Sequence, residues 1–117
     1  MRHHNANRKF GRTRNQRRNL LKSLALNIII KGKIKTTEAK AKELRPFIEK
    51  IVTAAKLDTL ARRRLITAKL LNRKLEVKKL FEEIAPKYKS RSGGYTKIVK
   101  LPRRSGDASL MAVIEFI

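Results

Sequence analysis

Cysteine is absent from the 117-residue chain, and this absence excludes whole classes of site. Disulfide bonds, thiolate metal ligands and cysteine nucleophiles are ruled out, and the composition suits the reducing environment of the cytoplasm. Long apolar runs are also missing, because the longest, around LALNIIIK, is too short and too interrupted to span a bilayer. The N-terminal residues MRHHNANRKF have no apolar core after their basic residues, so we expect no secretory signal. The sequence predicts a cytoplasmic protein with no membrane partner.

Acidic residues are scarce and unevenly placed. Only nine Asp and Glu stand against 31 Lys and Arg, which gives a formal net charge of +22. Residues 1–37 contain eleven Lys and Arg and no acid, residues 84–106 contain seven and again no acid, and the stretch between them mixes both signs. A compact body with this charge repels itself unless a polyanion neutralises it. The distribution predicts a nucleic-acid-binding protein with two basic segments.

Catalytic and small-molecule sites find little support in the sequence. A phosphate-binding loop needs GxxxxGK[ST] or GxGxxG between a strand and a helix, whereas Gly93 and Gly94 lie between a predicted helix and a predicted strand. We expect this glycine pair to supply positive φ angles in a turn. His3 and His4 are the only histidines and lack further metal ligands nearby. The nine acids include no evident catalytic pair, so we expect no enzyme activity, cofactor, metal site or small-molecule substrate.

Apolar spacing predicts an α+β fold in which about four helices pack on one face of a small three-stranded sheet. We expect residues 1–12, which lack apolar periodicity, to form a basic N-terminal arm, and residues 13–117 to form a single domain. The predicted helices cover residues 13–31, a segment from Glu38 with a kink at Pro46, residues 60–72, and residues 75–85 with an end before Pro86. The predicted strands cover residues 33–37, 95–101 and 110–116, the last two forming a hairpin.

Several side chains are assigned to the core or to a surface from this pattern. The buried face of the third helix is predicted to consist of Leu60, Ala61, Leu65 and Ala68. The phenylalanines assigned to the core are Phe47, Phe81 and Phe116. Tyr88 and Tyr95 flank the SRSGG turn at residues 90–94, and the sequence leaves two interpretations open for them. They stack on a splayed base, or they pack in the core beneath the sheet.

Composition alone does not separate RNA from DNA as the partner. No zinc finger, zipper or recognition-helix arrangement is apparent, which disfavours a sequence-specific DNA reader. A nucleoid-type architectural DNA-binding protein remains the alternative that the charge supports. A cationic membrane-surface protein would need a helix whose large apolar face is exposed to lipid.

The chain resembles one known family over nearly the whole length of the chain, and four stretches carry the resemblance. They are MRH at the start, IKTTEAKAKELRP at 34–46, KLFEEIAPKYKSRSGGYTKIVKL at 79–101 and RRSGDAS at 103–109. These stretches are similar to the bacterial large-subunit (50S) ribosomal protein L17 family. The resemblance implies a non-catalytic rRNA-binding domain that stabilises 23S rRNA on the solvent side of the large subunit, near the nascent-chain exit region. Its implied partners are 23S rRNA and neighbouring large-subunit ribosomal proteins.

The basic segments and the family motifs together give a set of predicted RNA-binding residues. The set is Arg2, His3, Arg8, Lys9, Arg12, Arg14, Arg17, Arg18, Lys35, Lys40, Arg63, Arg64, Arg91, Gly93, Gly94, Tyr95, Lys97, Lys100, Arg103 and Arg104. Two places depart from the family pattern, namely TRNQ at residues 13–16 and Lys97, where arginine is usual. A lysine cannot reproduce the bidentate fork of an arginine.

Overall fold

The order of elements confirms the predicted α+β class. The computed structural model describes residues 13–117, and the predicted basic arm at residues 1–12 lies outside the described residues. The helices and strands are α1 (Arg14–Lys31), β1 (Lys33–Thr37), α2 (Glu38–Ala55), α3 (Leu60–Lys69), α4 (Lys74–Lys79), β2 (Thr96–Leu101) and β3 (Met111–Phe116).

The ends of α1 follow from local chemistry. Thr13 accepts a hydrogen bond from the backbone N–H of Gln16, and the Gln16 side chain accepts one from the backbone N–H of Thr13, so two free donors are satisfied. At the other end, Gly32 adopts a left-handed φ of 80° and donates its N–H to the carbonyl of Ile28. Thr37 and Thr59 cap α2 and α3 through their side chains, which accept hydrogen bonds from the backbone N–H groups of Lys40 and Arg62. These local signals explain why the predicted starts of the first three helices are correct.

The three strands form one antiparallel sheet in the order β1-β3-β2. In its register Ile114 lies between Ile34 and Ile98. Because side chains alternate along a strand, this row faces the helices, and the row formed by Lys35, Val113 and Val99 faces the opposite way. Ile34, Ile98 and Ile114 all pack in or against the core, whereas Val99 is exposed. The helices therefore cover one face of the sheet, as predicted.

A single hydrophobic core lies between the sheet and the helices. Its largest fully buried side chains are Ile28, Ile29, Leu44, Ile48, Val52, Ile66, Leu70, Leu80, Tyr95, Thr96 and Ile114. Helix α2 contributes one buried stripe and continues through Pro46, whose ring is exposed.

No helix within residues 13–117 has the length and apolar content needed to cross a membrane.

The predicted end of the fourth helix before Pro86 is wrong. After α4 the chain continues through a π-helical turn (Leu80–Ile84) and a 3₁₀ turn (Ala85–Tyr88). The N–H of Ala85 donates to the carbonyl of Leu80, the i→i−5 pattern that widens the helix. Pro86 is tolerated because it lies at the start of the 3₁₀ turn, where its missing N–H costs no helical hydrogen bond.

The predicted buried face of α3 is also wrong. Its four members, Leu60, Ala61, Leu65 and Ala68, are exposed. The core contact is instead made by Ile66 and Leu70. The aliphatic parts of two arginine side chains pack beside them. Arg62 Nη1 donates to the carbonyl of Ala54 at 3.3 Å, and the Arg63 guanidinium lies 5.1 Å from the centre of the Phe81 ring. Arg62 and Arg63, which are half-buried, therefore make the contacts that the apolar spacing assigned to Leu60 and Leu65.

We predict that Phe81→Ala lowers the free energy of unfolding by about 3–5 kcal/mol, because it leaves a cavity beneath α3 in a small core. Urea denaturation followed by circular dichroism measures this change. The control is Leu75→Ala on α4, where the side chain is 81% exposed and the expected change is within about 0.5 kcal/mol. Equal effects of the two substitutions would contradict the described core.

Candidate nucleic-acid interface

The first turns of α1 present three predicted arginines beside a groove of about 690 Å³ between α1, α2 and α3. We call it the α1 groove. The N-terminal turns of α1, which begin after the Thr13 cap, supply Arg14, Arg17 and Arg18. Three further cations line the groove, namely Lys22, Lys50 and Lys69.

These six cations are concentrated without matching acids. Among residues 13–117, Glu43 is the one acid that lines the α1 groove. The ion pairs of Glu38, Glu49, Asp58, Glu76, Asp107 and Glu115 involve none of the six cations, and all six side chains are exposed or half-buried. Their charges repel one another, so the free energy of the groove falls when an anion binds there.

The SRSGG loop is held in place by the end of α2. The Lys56 ammonium donates both to the carbonyl of Arg91 and, at 3.0 Å, to the hydroxyl of Tyr95. The Arg91 guanidinium donates to the carbonyl of Gly94 at 3.2 Å. Gly94 has a φ of 65°, as expected for this pair, whereas Gly93 has no positive φ, so the expectation was wrong for Gly93. Local hydrogen bonds and one glycine therefore set the shape of the loop.

Tyr95 is part of the core and not of the exposed surface, which corrects its place among the predicted RNA-binding residues. Its side chain is fully buried, its hydroxyl lies 2.9 Å from that of Thr53, and its ring centre lies 5.2 Å from that of Tyr88. Tyr88 is also buried, and its hydroxyl donates to the carbonyl of Ile117 at 2.6 Å. Of the two interpretations that the sequence left open, core packing is the one the structure adopts for both rings.

The environments of the two tyrosines shift their pKa values in opposite directions. For Tyr95, burial raises the pKa, but hydrogen bonds with Lys56 and Thr53 and the Lys56 charge outweigh burial, and the net pKa is lowered. For Tyr88, burial raises the pKa and the Arg91 charge offsets only part of this rise. The lowered pKa of Tyr95 reflects the same Lys56 contact that holds the loop.

The SRSGG loop and the α1 groove are neighbouring parts of one surface. A second depression is lined by Gly93 and Ser92 from the loop and by Arg62 from α3. It shares Pro46 and Lys50 with the α1 groove. The fold thus brings together parts of the two basic segments that are far apart in sequence.

The hairpin turn between β2 and β3 forms a different basic region. Arg104 donates from Nε and Nη2 to the two carboxylate oxygens of Asp107 at 3.0 and 2.7 Å. The Ser109 N–H donates to the same carboxylate at 3.1 Å, and Arg103 Nη1 donates to the carbonyl of Ala108 at 3.0 Å. The Arg104 hydrogen bonds, followed by those from Ser109, hold the pKa of Asp107 well below its ordinary value, and Asp107 raises the pKa of Arg104.

Lys35 joins this second region. It lines a depression together with Arg103 and Arg104 from the hairpin turn. Within the described residues, no side chain lines both this depression and the α1 groove. The predicted residues that line these two depressions therefore form two separate groups, Arg14, Arg17 and Arg18 in one and Lys35, Arg103 and Arg104 in the other.

Some predicted residues already have acidic partners. Arg63 lies 2.6 Å from Asp58, and its hydrogen bonds lower the pKa of that carboxyl group. Lys97 lies 3.4 Å from Glu115 on the adjacent strand, and Lys100 lies 3.6 Å from Glu38. Any external anion would have to compete with these carboxylates for the three cations.

The remaining predicted residues lie elsewhere on the chain. Lys40 lies in the first turn of α2, where its backbone N–H donates to Thr37, and Arg64 is exposed on α3. The members of the set that lie outside the described residues are Arg2, His3, Arg8, Lys9 and Arg12.

Sequence reasoning missed several members of the two regions. Lys22 follows Arg18 by four residues, so helical spacing was a usable signal for it. Lys50 and Lys69 come from α2 and α3 and meet α1 only on folding. Lys56 holds the loop from a distance of 35 residues in the chain, and no local signal indicates that contact.

Comparison with known proteins gives consistent results. A sequence model of the family described as ribosomal protein L17 matches residues 20–117. The protein called large ribosomal subunit protein bL17 from Persephonella marina is 52% identical over 118 residues, which cover 100% of this chain and 95% of the relative. The protein of the same name from Gemmatimonas aurantiaca is 50% identical over 117 residues, 100% of this chain and 98% of the relative. That from Campylobacter jejuni subsp. doylei is 50% identical over 117 residues, with 100% and 99% covered.

We predict that Gly94→Ala destabilises the protein by about 1–2 kcal/mol, because alanine at a left-handed φ brings its Cβ too close to the backbone. Gly93→Ala is the matched control, since its φ is not positive and an added Cβ would meet no atom within 4 Å. Its expected effect is at most about 0.5 kcal/mol. Urea denaturation compares the two variants, and a larger loss for Gly93→Ala would contradict the described loop.

We also predict that the hairpin turn keeps its structure well into acid. The pKa of Asp107 is lower in the folded protein than in the unfolded chain, so its contribution to stability is complete above about pH 4 and is lost as the pH falls further. The amide NMR signal of Ser109, which donates to Asp107, should stay constant from about pH 7 to about pH 4. In Asp107→Asn the signal should differ at neutral pH. A transition of the wild-type signal centred above about pH 4 would contradict the contact.

Proposed function

The chain belongs to the ribosomal protein L17 family, and we propose that it is a structural constituent of the large ribosomal subunit that binds and stabilises 23S rRNA. The family is structural and non-enzymatic. Within the proposal, residues 1–12 form a basic arm and residues 13–117 a single rRNA-binding domain. The proposed location is the solvent side near the nascent-chain exit region, with other large-subunit proteins as neighbours.

The observation that supports rRNA binding most directly is the α1 groove. Six cations line it beside the carboxylate of Glu43, so the described residues of the groove carry a large excess of positive charge. RNA phosphates are the matching polyanion, and each neutralised phosphate releases a condensed counterion. The free energy of binding thus comes from relieved repulsion and from counterion release.

The hairpin turn supports the same proposal through pre-organisation. Arg104 uses Nε and Nη2 to bind Asp107, and within the described residues no hydrogen bond engages its Nη1. An arginine fixed in this way loses little side-chain entropy when its remaining donors meet a phosphate. Asp107 acts as the residue that orients Arg104.

The two alternatives from composition gain nothing from the structure. The apolar stripe of α2, which a membrane-surface helix would expose, is buried in the core through Ala41, Leu44, Ile48 and Val52. An architectural DNA-binding role has no observation in its favour beyond the charge itself. Competition with duplex DNA separates that role from rRNA binding.

We predict that Arg91→Ala and Arg104→Ala each weaken binding to 23S rRNA and reduce the slope of log affinity against log salt by about one unit, because each removes about one phosphate contact. Filter binding over a salt series measures the slope. Arg73→Ala is the matched control, since Arg73 pairs with Glu76 outside both basic regions and its loss should leave the slope unchanged. An unchanged slope in the two test variants would remove them from the interface. Equal competition by duplex DNA would favour the architectural role.

A further inference from the structure

The α1 groove contains apolar side chains among its cations. Leu21 and Phe47 are half-buried in its lining, and Pro46 is exposed there. Phe47 also packs against the core, so one part of its ring is anchored while another part lines the groove. Cations alone suffice to bind phosphate. Phosphate binding therefore does not explain why the ring of Phe47 lines the same groove.

The position of Phe47 makes it a firm platform. Its neighbours on α2, Leu44 and Ile48, are fully buried, so the backbone that carries the ring is fixed by the core. An aromatic side chain has only two rotatable bonds and offers a large flat surface at low entropic cost. The groove volume of about 690 Å³ falls within the range of about 300–1,000 Å³ that is usual for sites that enclose small organic groups.

An unpaired nucleotide matches this combination better than a duplex does. An A-form duplex presents phosphates and 2′-hydroxyl groups while its bases remain stacked on one another, so it would leave the ring of Phe47 uncovered. An unpaired nucleotide offers both a phosphate for the cations and a flat base for the ring.

We propose that the α1 groove binds an unpaired nucleotide of RNA, with its base against Phe47 and its flanking phosphates on the cations of α1, α2 and α3. The proposal rests on the proposed function, because it gives the class of RNA element that one of the two basic regions receives. Arg14, Arg17 and Arg18 hold the backbone on the α1 side, and Lys50 and Lys69 hold it on the opposite side. Among the described residues, no aromatic side chain lines the depression of the other region, at the hairpin turn.

Fluorescence of a Phe47→Trp variant of the full chain tests this proposal. The chain contains no tryptophan, so all tryptophan emission comes from the introduced residue. The probes are single-stranded poly(U), a poly(A)·poly(U) duplex and poly-glutamate. Binding is followed separately by the anisotropy of labelled RNA. The control is Leu75→Trp, at an 81% exposed position on α4 outside the groove.

The proposal predicts that poly(U) quenches the emission of Phe47→Trp, that the duplex binds without quenching it, and that Leu75→Trp is not quenched by either RNA. Phe47→Leu keeps apolar volume in the groove but lacks a flat ring. It should bind poly(U) about tenfold more weakly than wild type and the duplex equally well, which corresponds to about 1.4 kcal/mol for one stacked base. If circular dichroism shows that Phe47→Trp is misfolded, the affinities of Phe47→Leu for poly(U) and for the duplex test the proposal instead.

Several outcomes would overturn the proposal. One is binding of poly(U) with no change in Phe47→Trp emission and full affinity in Phe47→Leu, which would leave 23S rRNA binding intact while removing the nucleotide from the groove. Another is equal quenching by the duplex or at Leu75→Trp. Quenching by poly-glutamate alone would assign the groove to an acidic protein segment. Failure of the wild-type chain to bind 23S rRNA at all would overturn the proposed function as well.

Discussion

The constraint on which this structure depends is the mutual repulsion of its cations. A chain with 31 Lys and Arg and nine Asp and Glu must fold around a small core, although most of its charged groups repel one another. Several of the few carboxylates lie where elements meet. Glu49 accepts hydrogen bonds from the backbone N–H and the hydroxyl of Thr96 at 3.2 and 2.8 Å and so connects α2 to β2. Glu38, at the start of α2, lies 2.9 Å from Lys42 and also near Lys100 on β2.

The pKa of Glu38 shows how these carboxylates act. Its hydrogen bond with Lys42 is the largest cause of a lowered pKa, and together with the charges of Lys42 and Lys100 it outweighs the opposing effect of burial. Asp58 and Asp107 have similar roles at the start of α3 and in the hairpin turn. Because these acids stabilise the body where they are, the cations far from them remain available, and they meet in the α1 groove. The placement of these acids therefore leaves the positive charge of the described residues concentrated in the α1 groove.

Local signals in the sequence predicted the element order and most helix ends, while contacts distant in sequence account for the errors. Thr13, Gly32 and Thr37 form hydrogen bonds with residues three or four positions away, so a short stretch of sequence is enough to predict their effect. The face of α3 depends on Arg62 and Arg63 reaching Ala54 and Phe81, and apolar spacing carries no information about such contacts. Likewise, the hydroxyl of Tyr95 bonds with Thr53 and Lys56 at the end of α2, and the groove is lined by side chains from three helices. The family motifs suggested candidate RNA-binding residues without indicating which of them are neighbours.

The central claim is that this protein completes its charge balance on the RNA of the large ribosomal subunit. The most direct test is to sediment a native lysate through a sucrose gradient with magnesium, before and after a high-salt wash, and to follow the chain by mass spectrometry. The account predicts that the chain comigrates with large subunits in near-stoichiometric amounts and stays with them after the wash. Its appearance in DNA-containing or free-protein fractions would contradict the account.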